Sequence, residues 1–390
     1  MSILPAESDA RHIALRLERQ GGIVPATLFV DRTTWLPASL VVPYDRGPFT
    51  ASYSDYRPAL GMVLSHRIET SYRGSSASVV TSVRPLAKAE ARFAMPQPAD
   101  YSFDDRSPAL LELRRGTPIA AGDPGHVYAR PEVDGKALGW FLFDSGADGM
   151  MIDTRLADEL GMPIIGRTNS IGADGNPRPG TFRRGKTFRL GRLTIKDPVY
   201  LAVDLSANNA PAGEKRAGVI GYDLLARAIV EFHGTGDRIA LCDPARYRLP
   251  AGARWQPLGF MDSTPAIRTR FEGGRTGLFQ LDTGSAASVD FYPGFTQRER
   301  LLEGRATREH RSQGAGGAFP VAVGRLADFE LGGRHFRNLE VSFRTGGIGR
   351  DGGAGVIGRE LMAGFTTVFD YPHRRISFAP LRSASRACGG

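Results

Sequence analysis

The feature that most narrows what this chain can fold into is an internal duplication. Asp144-Ser145-Gly146 and Asp282-Thr283-Gly284 repeat one tripeptide pattern, each directly after a mostly apolar run, Trp140-Phe141-Leu142-Phe143 and Leu278-Phe279-Gln280-Leu281. An apolar-apolar-Gly triplet follows each. Gly221 of Val219-Ile220-Gly221 lies 77 residues after Asp144, and Gly358 of Val356-Ile357-Gly358 lies 76 after Asp282. Between motif and triplet comes a Leu-Gly pair, with Leu190 46 residues past Asp144 and Leu331 49 past Asp282. Phe232 and Ile239 in one repeat, and Phe369 and Ile376 in the other, stand 11 and 18 residues beyond the triplet glycine. A lone Asp-[Ser/Thr]-Gly reads as a β-turn, with Asp accepting backbone hydrogen bonds and Gly supplying positive φ. Landmarks that recur together at matched distances mark a repeated structural unit instead. One carboxylate per unit is how a chain builds a two-aspartate site about a pseudo-twofold axis.

Composition sets the class. The 390 residues include 48 glycines and 26 prolines between short apolar runs, which predicts β architecture with many turns. A hydrophobic share of 41% is enough for sizeable cores, and the length suits two or three domains. No apolar run reaches the ~18 residues of a membrane-spanning helix. The formal charge is +9, but only five of the 50 cationic residues are Lys and the arginines are scattered among acids. A nucleic-acid partner would call for a concentrated basic stripe, so none is expected.

Other hydrolytic chemistries lack their parts. No His-Glu-x-x-His supplies zinc ligands, no Gly-x-Ser-x-Gly elbow is present, and no Gly-Lys-[Ser/Thr] follows the glycines near 314–317. Neither metal nor cofactor is expected. His66, His126, His233, His310, His335 and His373 stand singly and read as surface or turn residues, and Cys242 reads as a packed strand residue.

The duplicated segment, about residues 117–382, resembles the retropepsin-like and pepsin-like aspartic proteases, most closely the bacterial aspartyl protease family whose chains hold such units. The resemblance implies catalytic aspartates at Asp144 and Asp282. It implies hydroxyl partners at Ser145 and Thr283 that brace the loops, and glycines at Gly146 and Gly284 that let them pack back to back. Val219, Ile220 and Gly221, with Val356, Ile357 and Gly358, would shape the two half-sites. Substrate-covering flaps are expected at Ile171, Gly172, Ala173 and Asp174 and at Gly314, Ala315 and Gly316, within Gly-rich stretches at 170–180 and 312–317. The first motif continues as Ala147-Asp148-Gly149, where pepsin-like enzymes carry a hydroxyl residue, and neither flap stretch contains Tyr. Both departures favour the retropepsin-like branch.

The expected fold is therefore mainly β, with two retropepsin-like β-barrel lobes in pseudo-twofold arrangement at 113–248 and 249–390. Short helices are expected at 154–160, 223–227 and 360–363. Before them, residues 1–112 read as an antiparallel β accessory domain with strands at 13–17, 26–30, 39–42 and 62–72, closed by a polar linker at 94–108. The run Asp31 to Pro37, with Tyr53 to Arg57 and Gly61, is loosely similar to the half-barrel sheets of periplasmic lipoprotein carriers, which implies lipid or lipoprotein contact for this domain. The function expected is peptide-bond hydrolysis by a water activated between the two aspartates, one acting as base and the other as acid. The rival is a catalytically silent peptide- or lipoprotein-binding protein with the same fold. Two repeats in one chain make a monomer sufficient. Met1 to Pro5 has neither a charged nor an apolar leader region. Relatives of this type are commonly exported, so a periplasmic or secreted location is expected, with Cys242 bridged to Cys388.

Overall fold

The repeat in the sequence is a repeat of sheet topology. A computed structural model describes residues 2–17, 25–43, 48–71, 75–83, 100–106, 110–116, 125–172, 177–233, 238–314, 317–346, 349–350 and 352–381. The fold is mainly β, and it divides into two compact units, Met1–Pro96 and Gln97–Gly390.

In the first unit, seven strands pair in sequence order as an antiparallel meander. His12–Leu17, Ala26–Asp31, Pro37–Val42 and Met62–Ser71 fall close to the expected strands, and Phe49–Ala59 and Ser75–Val79 add to the sheet. Among its described residues only Ala14, Val30, Ala51 and His66 are buried, whereas Trp35, Leu60, Met62 and Val63 are exposed.

The second unit holds two eight-stranded sheets built by one recipe. In the first repeat, Trp140–Phe143, which delivers Asp144, runs parallel to Arg216–Ile220, which carries the apolar-apolar-Gly triplet. That strand is antiparallel to Met151–Asp153, which is parallel to Val199–Val203, followed by the antiparallel pair Pro177–Arg184 and Ile164–Ile171. The second repeat reproduces the series with Arg275–Leu281, Gly355–Ile357, Val289–Phe291, Arg334–Arg344, Gly317–Leu331 and Arg308–Gly314. The Leu-Gly landmarks are hairpin turns in which Gly191 and Gly332 take φ of 56° and 60°, a region costly for other residues.

A six-stranded sheet joins the repeats, because Ile229–His233 of the first pairs antiparallel with Phe365–Asp370 of the second. The aromatic core crosses with it: Phe232 meets Phe143 at 5.0 Å and Phe369 at 5.9 Å, both edge-on. Such edge-to-face contacts align the positive ring edge with a neighbour's negative face.

The polar stretch read as a linker is partly strand. Tyr101–Phe103, within it, pairs with Leu193–Lys196, and Leu110–Glu112, just after it, forms the edge of the six-stranded sheet against Arg238–Cys242. Asp100 takes two hydrogen bonds from Arg227, at 2.8 and 2.6 Å. Helices form close to the expected places, at Thr154–Glu159, Tyr222–Leu225 and Arg359–Met362. The Asp153 carboxylate caps the first by accepting from Arg155 N at 3.1 Å. A fourth helix, Pro293–Arg298, had no sequence expectation. Cys242 is buried, and Cys388 lies outside the described residues.

Candidate active site

Each Asp motif is a turn hung between two strands and tied to its own triplet. Asp144 N–H donates to Ile220 O at 2.9 Å, and Asp282 N–H to Ile357 O at 3.0 Å. A Cβ on Gly221 would sit 2.4 Å from Gly149 O, and one on Gly358 2.3 Å from Ala287 O, so each triplet must end in glycine for the motif loop to lie against it. The turn then folds back on its carboxylate: Gly146 N–H donates to Asp144 Oδ1 at 2.8 Å, and Gly284 N–H to Asp282 Oδ1 at 2.7 Å.

The two loops hold each other through four reciprocal bonds. Thr283 Oγ1 accepts from Ser145 N–H at 2.9 Å and donates to Phe143 O at 3.1 Å. Ser145 Oγ accepts from Thr283 N–H at 3.0 Å and donates to Leu281 O at 2.8 Å. Both hydroxyls are buried, where an unpaired polar group would be costly, so the arrangement is specified and not merely allowed.

The motif glycines are not there for positive φ, since neither takes it. They are there for space. A Cβ on Gly146 would lie 2.5 Å from Asp282 Cγ, and one on Gly284 2.5 Å from Asp144 Cγ. Back-to-back packing thus brings Asp144 and Asp282 together, and their side chains share a hydrogen bond. Surrounding protein pushes the Asp144 carboxyl well above the usual carboxylate range. The neighbouring charge of Asp282 and their hydrogen bond push the same way, against Gly146 N–H and the Arg216 guanidinium. As whole residues, Asp144 and Asp282 are half-buried.

Aromatic side chains crowd near the pair. Tyr371 packs against Phe260 at 4.9 Å and Tyr222 at 5.9 Å. Its hydroxyl is buried with no partner among the described residues. Burial, then the charge of Asp144, holds that phenol well above its ordinary pKa. On the other side, Tyr292 hydrogen-bonds Gln280, and its ring faces the Arg344 guanidinium, which is paired with Asp290 at 2.6 Å.

Of the sequence-predicted residues, Asp144, Ser145, Gly146, Asp282, Thr283 and Gly284 converge here, with both triplets lying behind them. The flap stretches form hairpins, Ile164–Ile171 with Pro177–Arg184 and Arg308–Gly314 with Gly317–Leu331. Of their expected tips, Ala173, Asp174, Ala315 and Gly316 lie outside the described residues. Asp148 turns away from the pair to the second repeat, accepting from Ser263 Oγ at 3.0 Å and from Arg350 at 3.1 Å. Arg350 also pairs with Asp262.

Three histidines depart from the surface reading. His66 and His233 are buried, and His126 Nε2 lies 2.9 Å from Gly284 O on the loop of Asp282. Its sequence signal was an equal offset: His126 stands 18 residues before Asp144, as Thr264 does before Asp282. Thr264 Oγ1 donates to Gly146 O at 3.3 Å. Among the described residues, no cluster of three or more His, Cys, Asp or Glu is disposed to hold a metal ion. Nor is any described helix long and apolar enough to cross a membrane.

Residues 129–224 match the aspartyl protease family. The match spans Asp144 and Val219 to Gly221. The second repeat lies beyond it and is tied to the first by the shared landmarks and strand pairings. No curated protein matches the chain.

Proposed function

We propose that this chain is an aspartic endopeptidase, with the two repeats acting as two lobes whose pseudo-twofold axis passes between Asp144 and Asp282. The observation that carries the proposal is the mutual approach of the two loops, in which each motif glycine makes room for the other repeat's carboxylate. Two carboxylates so close cannot both ionise cheaply, so one proton is shared. The raised pKa of Asp144 supports a proton held by the pair in the resting site. The ionised carboxylate takes a proton from an attacking water as general base, while the protonated one donates to the carbonyl oxygen of the scissile peptide. The water oxygen bonds to the carbonyl carbon, giving a tetrahedral diol. Collapse of the diol breaks the C–N bond as a proton passes to the departing amine. Gly146 and Gly284 N–H keep each carboxylate oriented through the cycle.

The substrate in this reading is an extended peptide lying under the two hairpins, bound by strand-like main-chain hydrogen bonds. One chain supplies both aspartates, so a monomer is sufficient. Export to the periplasm or beyond, and lipid or lipoprotein contact by the first unit, belong to the same proposal; fractionation of the producing cell and vesicle flotation of residues 1–96 test them.

Asp144→Asn and Asp282→Asn should each lower kcat on a casein-like substrate by at least about 10³-fold, since acid and base act as a unit. Retention of wild-type turnover by either variant would refute the assignment. A wild-type chain that binds a statine peptide but leaves every peptide intact would instead be the silent binding protein.

A further inference from the structure

We propose that His126 and Thr264 form a second brace across the repeats, and that His126 is a positioning residue for Asp282. The inference rests on the peptidase reading for its kinetic consequences, and on geometry alone for the brace. Each motif glycine has two tasks. Its N–H grips the carboxylate of its own Asp, at 2.8 Å for Gly146 and 2.7 Å for Gly284. Its carbonyl accepts from the other repeat, from Thr264 Oγ1 at 3.3 Å for Gly146 and from His126 Nε2 at 2.9 Å for Gly284. A carbonyl oxygen only accepts, so Nε2 carries the hydrogen in this contact.

A glycine needs such an anchor more than any other residue. It is glycine here because the opposing carboxylate leaves no room for a Cβ, and the same lack of a side chain frees its φ and ψ. Anchoring the carbonyl restricts ψ and keeps the peptide on the other side of the Cα aimed at the aspartate. The donors are well placed for this. His126 directly precedes the strand Val127–Ala129, which pairs with the strand delivering Asp144. Thr264 opens the strand Thr264–Phe271, which pairs with the strand delivering Asp282. Each therefore grows from its own repeat's sheet and reaches the other repeat's loop. The Tyr128 ring, 6.4 Å from the imidazole and edge-on to it, limits how far His126 swings.

The hydroxyl grip fixes the Ser145 and Thr283 peptides, and the His126–Thr264 brace fixes the glycines that follow. A donor is what matters in this reading, not an imidazole, since threonine serves at the equivalent position.

Three variants test it. His126→Leu keeps bulk without a donor, His126→Gln restores a donor near the place of Nε2, and Thr264→Val removes the hydroxyl at constant shape. Leu at 126 should lower kcat by about tenfold or more, with KM within about twofold, because misaimed groups are felt in the transition state and not in binding. Gln should recover most of the loss, and Thr264→Val should lower kcat in the same sense. Carboxyl ¹³C titration of the aspartate pair should shift in His126→Leu and return in His126→Gln. Wild-type kcat and titration in His126→Leu, or equal damage in Leu and Gln, would overturn the brace. Should His126→Leu not fold, Thr264→Val carries the test, and wild-type behaviour in it would overturn the brace. If the wild-type chain cleaves no peptide, the peptidase reading falls while the titration still decides this one.

Discussion

At the scale of single residues, the carboxyl of Asp144 makes a thermodynamic statement as well as a mechanistic one. Its folded-state pKa lies above the ordinary value of 3.8, so between those two pH values the folded chain binds more protons than the unfolded one. Stability from this group is complete below the unfolded value and is lost as pH rises through the folded one. Asp144→Asn removes the dependence. It should raise the melting temperature at pH 7, by roughly 2–4 °C for each kcal/mol released, and should leave it unchanged below about pH 3.5. Melting curves of both proteins across that range check the sign; a variant less stable at pH 7 would contradict it. The sequence made Asp144, Ser145, Gly146 and their counterparts legible because all six lie in contiguous repeated tripeptides. It hid Tyr371, a single residue whose neighbours come from distant strands, and marked His126 only by an offset matched at Thr264. The reason for the glycines, room for back-to-back packing, came from the family resemblance, since close approach of another chain segment leaves no local mark while a turn does.

At the scale of elements, the alternating strand Met62–Ser71 and the helix Thr154–Glu159, closed by Gly161, were readable. The helix Pro293–Arg298 was not, because Tyr292-Pro293-Gly294 opens like a turn, and only burial of Phe295 and Thr296 holds the segment down. Nor were Tyr101–Phe103, inside the polar stretch, and Leu110–Glu112, just beyond it, recognisable. Each has three residues, too few to show a period, and each is a strand only because a partner far along the chain accepts it. They matter for any shortened protein. A chain beginning at residue 97 keeps both strands and the Asp100–Arg227 pair, whereas one beginning at 113 exposes the Arg238–Cys242 edge and leaves Arg227 with Asp223 but without Asp100. The longer form should be soluble and monomeric. The shorter should melt lower by 5 °C or more at roughly 2–4 °C per kcal/mol, or aggregate through the bared edge. Light scattering and calorimetry of the two forms decide it, and equal stability would show the strands to be dispensable.

At the scale of the molecule, the sequence predicted two units of one design and the strand pairings repeat step for step. What it did not display is how thoroughly the repeats are merged. The six-stranded sheet takes strands from both, and Phe232 touches aromatic rings of both. Residues 97–390 should accordingly unfold in one transition, with tryptophan fluorescence and far-ultraviolet dichroism coinciding. Phe232→Ala should lower the stability of that whole unit by about 3–5 kcal/mol. Two resolved transitions, or a loss confined to one repeat, would show the halves to be independent.

The reciprocity of the two motif loops has a consequence for heredity. The space that Gly146 must leave belongs to Asp282, the space that Gly284 must leave belongs to Asp144, and each hydroxyl is answered by the opposite backbone. A gene of this design therefore carries one structural trait written in two places. Recombination between diverged relatives with a crossover anywhere from 147 to 281 would splice together loops that have never met, and a change tolerated in one parent would arrive without its answer in the other. Lineages of such chains should drift in paired steps at these positions, and a library that mutates one loop at a time would search mostly among the dead.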